Sequence, residues 1–247
     1  MTGAQIPARV RDILRPRVSG YFPNIVHESA TCLTCATPVD GYARCYRCNS
    51  DRGPLTADHV GSSVYAWPRH QSGYAMHGYK APQPLAEAGT AVSLLLGVAF
   101  AFHADCLERV AGRSVEQWAT VPSASGRTGE HPFHRIVGRL KTVPGAEVPM
   151  RSLVQQAPRN VDPAIFAVDG EVLAGGHVLL LDDTWTTGSR AQSAAGALKL
   201  AGAGTISVYT VARWLDPAYS TTKAFMPRLA HPDFDPSLCP WTGGACP

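Results

Sequence analysis

Residues 177–192 read HVLLLDDTWTTGSRAQ, an apolar run that ends in two carboxylates and passes through four hydroxyl side chains into an alanine-rich stretch. The run HVLLL suits a strand covered on both faces, where alternation of polar and apolar positions is lost. Ala191, Ala194, Ala195 and Leu198 fall on one side of the helix that would follow. A turn between such a strand and such a helix opens into the crevice at the carboxyl end of a parallel sheet, where α/β proteins bind ligands. Thr184, Thr186, Thr187 and Ser189 surround Gly188 there. Backbone N–H groups of residues 186–189, at the positive end of the helix, would hold a phosphate, and the hydroxyls would donate further hydrogen bonds. Gly188 would let the ligand approach the backbone closely.

Asp182 and Asp183 do not suit a bare phosphate, because they repel it. Sugar hydroxyls, or a Mg²⁺ ion bridging a sugar and a pyrophosphate, would give them partners. Sugar, phosphate and magnesium in one site predict phosphoribosyl pyrophosphate as the ligand. The segment is not a Walker A loop, since no Gly-Lys-Ser/Thr is present. The plainer alternative is a solvated turn whose Asp and Thr side chains only cap the helix.

Cysteines form the second chemical pattern. Cys32-x2-Cys35 and Cys45-x2-Cys48 are separated by nine residues. Each pair can present two thiolates on a tight turn, and four thiolates satisfy tetrahedral Zn²⁺ in a closed structural site. Neither pair opens a helix in a βαβ unit, which disfavours a thioredoxin-like redox pair; an iron centre stays open as an alternative. With so few apolar residues, this segment would scarcely fold without its metal. His103 and Cys106 share one helix face, and Cys239 and Cys246 flank the turn PWTGGA, so these four could form a second Zn²⁺ site. The plainer reading is preferred: a buried Cys106, a surface His103 and an untethered tail, with Cys239 and Cys246 open to oxidation. Trp185 reads as core, while Trp241 suits either core or stacking on an acceptor base.

The remaining sequence must position these groups. Residues 1–60 read as a loop-rich metal module with an N-terminal segment, and residues 61–247 as an α/β domain. Residues 85–109 predict a mostly buried helix and residues 118–122 a short strand. Phe133, Ile136, Val137 and Leu140 mark an amphipathic helix. Prolines at 144, 149, 158 and 163 break residues 141–163 into an expected flexible loop that carries Arg151 and Arg159. Residues 164–168 and 206–211 predict further strands. Strand, helix and strand at these lengths make a right-handed parallel crossover. The expected fold is therefore α/β, a mostly parallel sheet with helices on both faces, plus the small N-terminal zinc-knuckle module.

Composition excludes several classes. The chain has 247 residues, 45% hydrophobic and 17% charged, with a mean hydropathy of -0.06; it is neither disordered nor fibrous. A balance of 22 basic against 19 acidic residues shows no dense basic stripe of the kind nucleic-acid binders use. The opening segment MTGAQIPARVRDILRPRVSG interleaves charge with apolar residues, unlike a signal peptide. The longest apolar stretch, residues 91–102, is shorter than the roughly 18 residues that span a bilayer. The expectation is a cytoplasmic protein with no membrane partner.

The acidic and hydroxyl-rich segment resembles the binding signature of type I phosphoribosyltransferases: an apolar strand, two acids, then Thr-Thr-Gly and a hydroxyl residue. In that family a tight turn after an earlier strand supplies amides to the pyrophosphate, and WATVPSASGR is similar to it, with Val121, Pro122 and Ser123 at the turn and Arg127 as a counter-charge. A cysteine module ahead of such a domain resembles the competence protein F-like (amidophosphoribosyltransferase-like) family, as do Tyr79-Lys80 and Arg159-Asn160 in their places along the chain. One departure is His131-Pro132-Phe133-His134, where the family commonly has Arg-Gly-Phe-Asn.

The resemblance implies a phosphoribosyltransferase that uses Mg²⁺ and releases pyrophosphate, transferring ribosyl 5-phosphate to a nitrogenous acceptor, ammonia or water. Asp183 and Asp182 would act at the ribose, with Asp183 stabilising the developing positive charge. Arg151 and Arg159 would serve the departing group from a closing loop. The alternative is a non-catalytic protein of the same fold, a sensor or a DNA-uptake partner, contacting others through its zinc knuckles. Arg44, Arg47 and Arg52 lie beside those knuckles but read equally as a solvated face. No residue pattern selects the acceptor or an oligomeric state, and a dimer is compatible.

Overall fold

A computed structural model describes residues 4–123, 129–229 and 233–247. Two short helices, α1 (Ala8–Leu14) and α2 (Tyr46–Ser50), precede the first strand, β1 (His59–Ala66). Three helices follow: α3 (Gln71–Gly78), α4 (Ala86–Phe102) and α5 (Ala104–Ala111). Next come β2 (Gln117–Thr120), α6 (Pro132–Val137), β3 (Ala146–Glu147), β4 (Met150–Ser152) and β5 (Phe166–Val168). The chain then forms β6 (His177–Trp185), α7 (Ser189–Leu200), β7 (Thr205–Trp214) and α8 (Ser220–Phe225).

Five of the strands build one parallel sheet in the spatial order β1-β7-β6-β2-β3. The strands β4 and β5 pair antiparallel outside it. The apolar run of β6 explains its central place: Leu179 and Leu181 enter one hydrophobic core and Val178 and Leu180 the other. Each fully buried leucine contributes roughly 1.5–3 kcal/mol. The first core joins α4 (Val92, Leu95, Leu96) with Leu14, Val18 and Phe22 from the N-terminal segment. The second is covered by α7, whose Ala191, Ala194, Ala195 and Leu198 form the expected apolar face and let helix and sheet approach closely. Helices thus cover both faces of a mostly parallel sheet, as the sequence predicts.

Several boundaries differ from expectation, each for a physical reason. The long helix expected over residues 85–109 breaks at His103 into α4 and α5, whose axes bend by 58°. β6 does not stop at Leu181, because its pairing with β7 continues through Asp182↔Thr210 to Trp185↔Arg213. β2 stops at Thr120, although the Val121 N–H still bonds the Leu181 carbonyl at 2.9 Å. The segment expected to be a loop contains β3 and β4, and the strand expected from residue 164 starts with a 3-10 turn, Pro163–Ile165. The helix marked by Phe133 ends at Val137 rather than Leu140. β1 has no counterpart among the expected strands; its outer edge is covered by the passing chain, through Tyr65 N–H to Pro23 O (2.8 Å) and Ser62 N–H to Pro240 O (3.1 Å). Among the described residues no single helix is long and apolar enough to cross a membrane.

Candidate active site

The sheet order places a crevice. The main-sheet strand that follows β2 lies on one side of it and the strand that follows β6 lies on the other, so the order in which strands are added reverses between the carboxyl ends of β2 and β6. In open α/β sheets that switch point is where ligands bind. β2 ends there in Val121, Pro122 and Ser123, and β6 ends there in residues 182–189. An open cleft of about 1820 Å³ lies over residues 182–189, and Lys80, Arg44 and Arg159 also border it.

Adjacent strand residues point to opposite faces, so the two carboxylates meet different surroundings. Asp183 is buried at 6% exposure and faces the residues that close α3. Lys80 Nζ lies 2.6 Å from its Oδ2, and the Tyr79 hydroxyl donates to the same oxygen. Burial opposes ionisation of Asp183, but the charge of Lys80 and the hydrogen bonds from Lys80 and Tyr79 outweigh it and hold the carboxyl below its ordinary range. Asp182 is half-buried and accepts from the Asp183 N–H at 2.8 Å. Desolvation, and then the negative charge of Asp183, push its carboxyl up to about 7. The pair is therefore split: one carboxylate stays charged while its neighbour titrates near neutrality.

The hydroxyl-rich turn is shaped by Gly188, whose φ is +83° and whose absent Cβ would lie 2.2 Å from Trp185 Cζ2. Both the backbone angle and the indole beneath it demand glycine. Thr187 Oγ1 and Ser189 Oγ lie 3.1 Å apart, and α7 begins at Ser189. Arg213, buried in β7, donates to the carbonyls of Trp185 (2.5 Å) and Thr186 (2.6 Å). With those carbonyls held inward, the turn can offer its N–H groups to a ligand at the positive end of α7. The same guanidinium donates to Thr37 Oγ1 at 2.7 Å, and Thr37 Oγ1 is 3.0 Å from Cys35 Sγ. The cysteine module and the candidate phosphate turn thus share one buried arginine.

Of the residues singled out from sequence, Asp182, Asp183, Thr184, Thr186, Thr187, Gly188, Ser189 and Arg159 border this cleft. Arg151 is not brought to it: on β4 it pairs with Asp169 at 3.0 Å, exposed to solvent. The Val121 N–H already serves the Leu181 carbonyl and Pro122 has none, so neither of these two residues offers an amide to an anion. Arg127 lies outside the described residues. Trp185 is core, as expected, and so is Trp241, which packs over Gly61. Sequence reasoning gave no role to Lys80, Tyr79 or Arg213. Lys80 and Asp183 are 103 positions apart, and no local pattern joins them.

Cys32, Cys35, Cys45 and Cys48 bring their sulfurs within 4.8 Å of one another. Zinc–sulfur bonds of about 2.3 Å give a tetrahedron with edges of about 3.8 Å, and Cys35 Sγ to Cys45 Sγ is 3.8 Å. The Thr34 N–H points at Cys32 Sγ from 3.4 Å, as a thiolate on a tight turn requires. This donor set could hold zinc, and Cys32 and Cys35 pack into the core that contains Trp185. The expectation of a surface His103 and an untethered tail is overturned: His103 is 1% exposed, and Phe234, Cys239 and Trp241 are packed into the main core.

No family model and no curated protein matches the chain. Among solved structures it is similar to a phosphoribosyltransferase from Corynebacterium diphtheriae, with 21% identity and a TM-score of 0.32 over 57% of this chain and 74% of that one. A likeness this distant carries no argument beside the geometry.

Proposed function

We propose that this chain is a phosphoribosyltransferase-type enzyme related to the competence protein F-like family, with a metal-held module of residues 1–60 preceding a transferase domain of residues 61–247. The observation that carries the reading is the position of residues 182–189: paired carboxylates and a glycine-centred hydroxyl turn, at the head of a helix, on the switch point of a parallel sheet. In this reading the turn takes the 5-phosphate of phosphoribosyl pyrophosphate and the carboxylates take the ribose. Ser123 and Arg159 would take the pyrophosphate. Mg²⁺ would supply charge neutralisation at the departing pyrophosphate.

The reaction breaks the bond between ribose C1 and the pyrophosphate oxygen and forms one from C1 to the acceptor, a nitrogenous base, ammonia or water, which loses a proton. Asp183 stays ionised beside the ribose and stabilises the positive charge that develops on the ring. Lys80 borders the same cleft and balances Asp183 until ligand charge arrives. Arg44 and Arg47 also border the cleft, which favours a small anion over a nucleic-acid surface.

Calorimetric titration with phosphoribosyl pyrophosphate and Mg²⁺ tests the ligand. Binding by the wild type and its loss in Asp182→Asn/Asp183→Asn are expected; no heat from the wild type, or an unchanged variant, sinks the assignment. A pyrophosphate-release screen over nucleobases and amines then identifies the acceptor, and tight binding without release would make the protein a sensor rather than a transferase.

A further inference from the structure

A second cluster of metal-ligating side chains stands where α4 breaks into α5 and the C-terminal chain returns. His103 occupies the break, Cys106 lies in the first turn of α5, and Cys239 and Cys246 come from the tail. Their four ligand atoms lie within 4.8 Å of one another, and His103, Cys106 and Cys239 are buried. Bond lengths of about 2.0–2.1 Å to nitrogen and 2.3 Å to sulfur in a tetrahedron require nitrogen–sulfur edges of about 3.6 Å. His103 Nδ1 lies 3.5 Å from Cys246 Sγ and 3.8 Å from Cys106 Sγ.

The imidazole is oriented for a metal. Its Nε2 lies 2.9 Å from the Pro236 carbonyl, which can only accept, so Nε2 carries the proton. In the neutral ring Nδ1 then holds the lone pair, and it faces the thiols. A backbone carbonyl fixing the far nitrogen is the outer-shell partner that metal-bound histidines use. The tail is folded to suit: the Cys239 N–H bonds the Gly244 carbonyl at 2.7 Å and the Gly243 N–H bonds Cys239 O at 2.8 Å, which turns Cys246 back toward Cys239.

We propose that His103, Cys106, Cys239 and Cys246 form a structural zinc site of the Cys₃His type, separate from the N-terminal four-cysteine site. Three thiolates and a neutral imidazole close the coordination sphere, so the metal holds chain rather than substrate. What it holds is the segment that covers β1: Pro240 O accepts from Ser62 N–H, and Trp241 lies against Gly61.

Metal analysis and X-ray absorption on the full chain, prepared with reductant and without chelator, test this. About two zinc ions per chain are expected, bound by seven sulfurs and one nitrogen in total. Cys239→Ser/Cys246→Ser should retain one zinc with sulfur donors only, whereas Cys45→Ser/Cys48→Ser should retain one with the mixed set. If either variant fails to fold, the wild-type count and donor ratio still decide. One zinc in the wild type with sulfur donors only, two without nitrogen donors, iron in place of zinc, or a disulfide within this cluster would each overturn the site. The readout is independent of any transferase activity.

Discussion

Lys80 Nζ lies 2.6 Å from Asp183 Oδ2, joining the end of α3 to the central strand β6. The Tyr79 hydroxyl reaches the same oxygen. Both groups stabilise the anionic form of a carboxylate this buried. Lys80 keeps about a quarter of its side chain exposed, at 26%, so water already screens part of the attraction.

Replacing Lys80 with Met should therefore cost about 2 kcal/mol, the range for a hydrogen bond to a charged group, rather than the larger cost of breaking a fully buried pair. Urea unfolding gives the value. Adding Asp183→Asn should recover part of the loss, because the two residues are coupled; strictly additive costs would contradict the pairing.

Stability should depend on pH through Asp182. Its carboxyl is raised from 3.8 to about 7, so between these values the folded state binds more protons than the unfolded chain. Its contribution is fully present below about pH 4 and is lost as pH rises through about 7. The difference in unfolding free energy between wild type and Asp182→Asn should change over that window and flatten above it. A constant difference would show that Asp182 is not raised. By the same sign, a ligand that needs Asp182 ionised should bind more tightly as pH rises through about 7.

Gly188→Ala should distort the turn, since its Cβ would enter the Trp185 indole at 2.2 Å and its φ would remain at +83°. Backbone strain of this kind costs about 1–3 kcal/mol, and affinity for phosphoribosyl pyrophosphate should fall by about tenfold or more. Thermal unfolding and calorimetry measure the two effects; a variant that binds normally would show that the turn does not hold the phosphate.

Arg213→Lys keeps the charge but loses the planar fork that reaches Trp185 O, Thr186 O and Thr37 Oγ1 together. The N-terminal cysteine cluster does not include Arg213, so its metal content should persist while ligand affinity falls severalfold. Unchanged affinity would mean that the arginine holds the module but not the turn.

Much of the fold was legible in the sequence because its strongest signals are local. HVLLL suits a strand covered twice, and Ala191, Ala194 and Ala195 fall on one face of the helix that follows. β1 was missed because HVGSSVYA interleaves small polar residues with apolar ones, and its serines are buried through bonds to β7, Ser62 with Thr210 at 2.6 Å and Ser63 with Tyr209 at 2.7 Å. Propensity alone does not reveal such partners. The break at His103 was missed for the same reason: the imidazole at the bend meets the Pro236 carbonyl, 133 positions away in the chain.

By itself, then, the sequence determined which residues could carry chemistry: the two acids, the hydroxyl turn and the spacing of the Cys-x2-Cys pairs are properties of contiguous chain. Only the tertiary structure decided what surrounds them. It set Lys80 against Asp183 and not Asp182, gave Arg213 to both the turn and the knuckles, left Arg151 with Asp169, and closed His103 and Cys106 onto the tail. The physical reason is that charge balance and metal geometry depend on distance in space, and the distances that matter here join residues on strands and helices far apart in the chain.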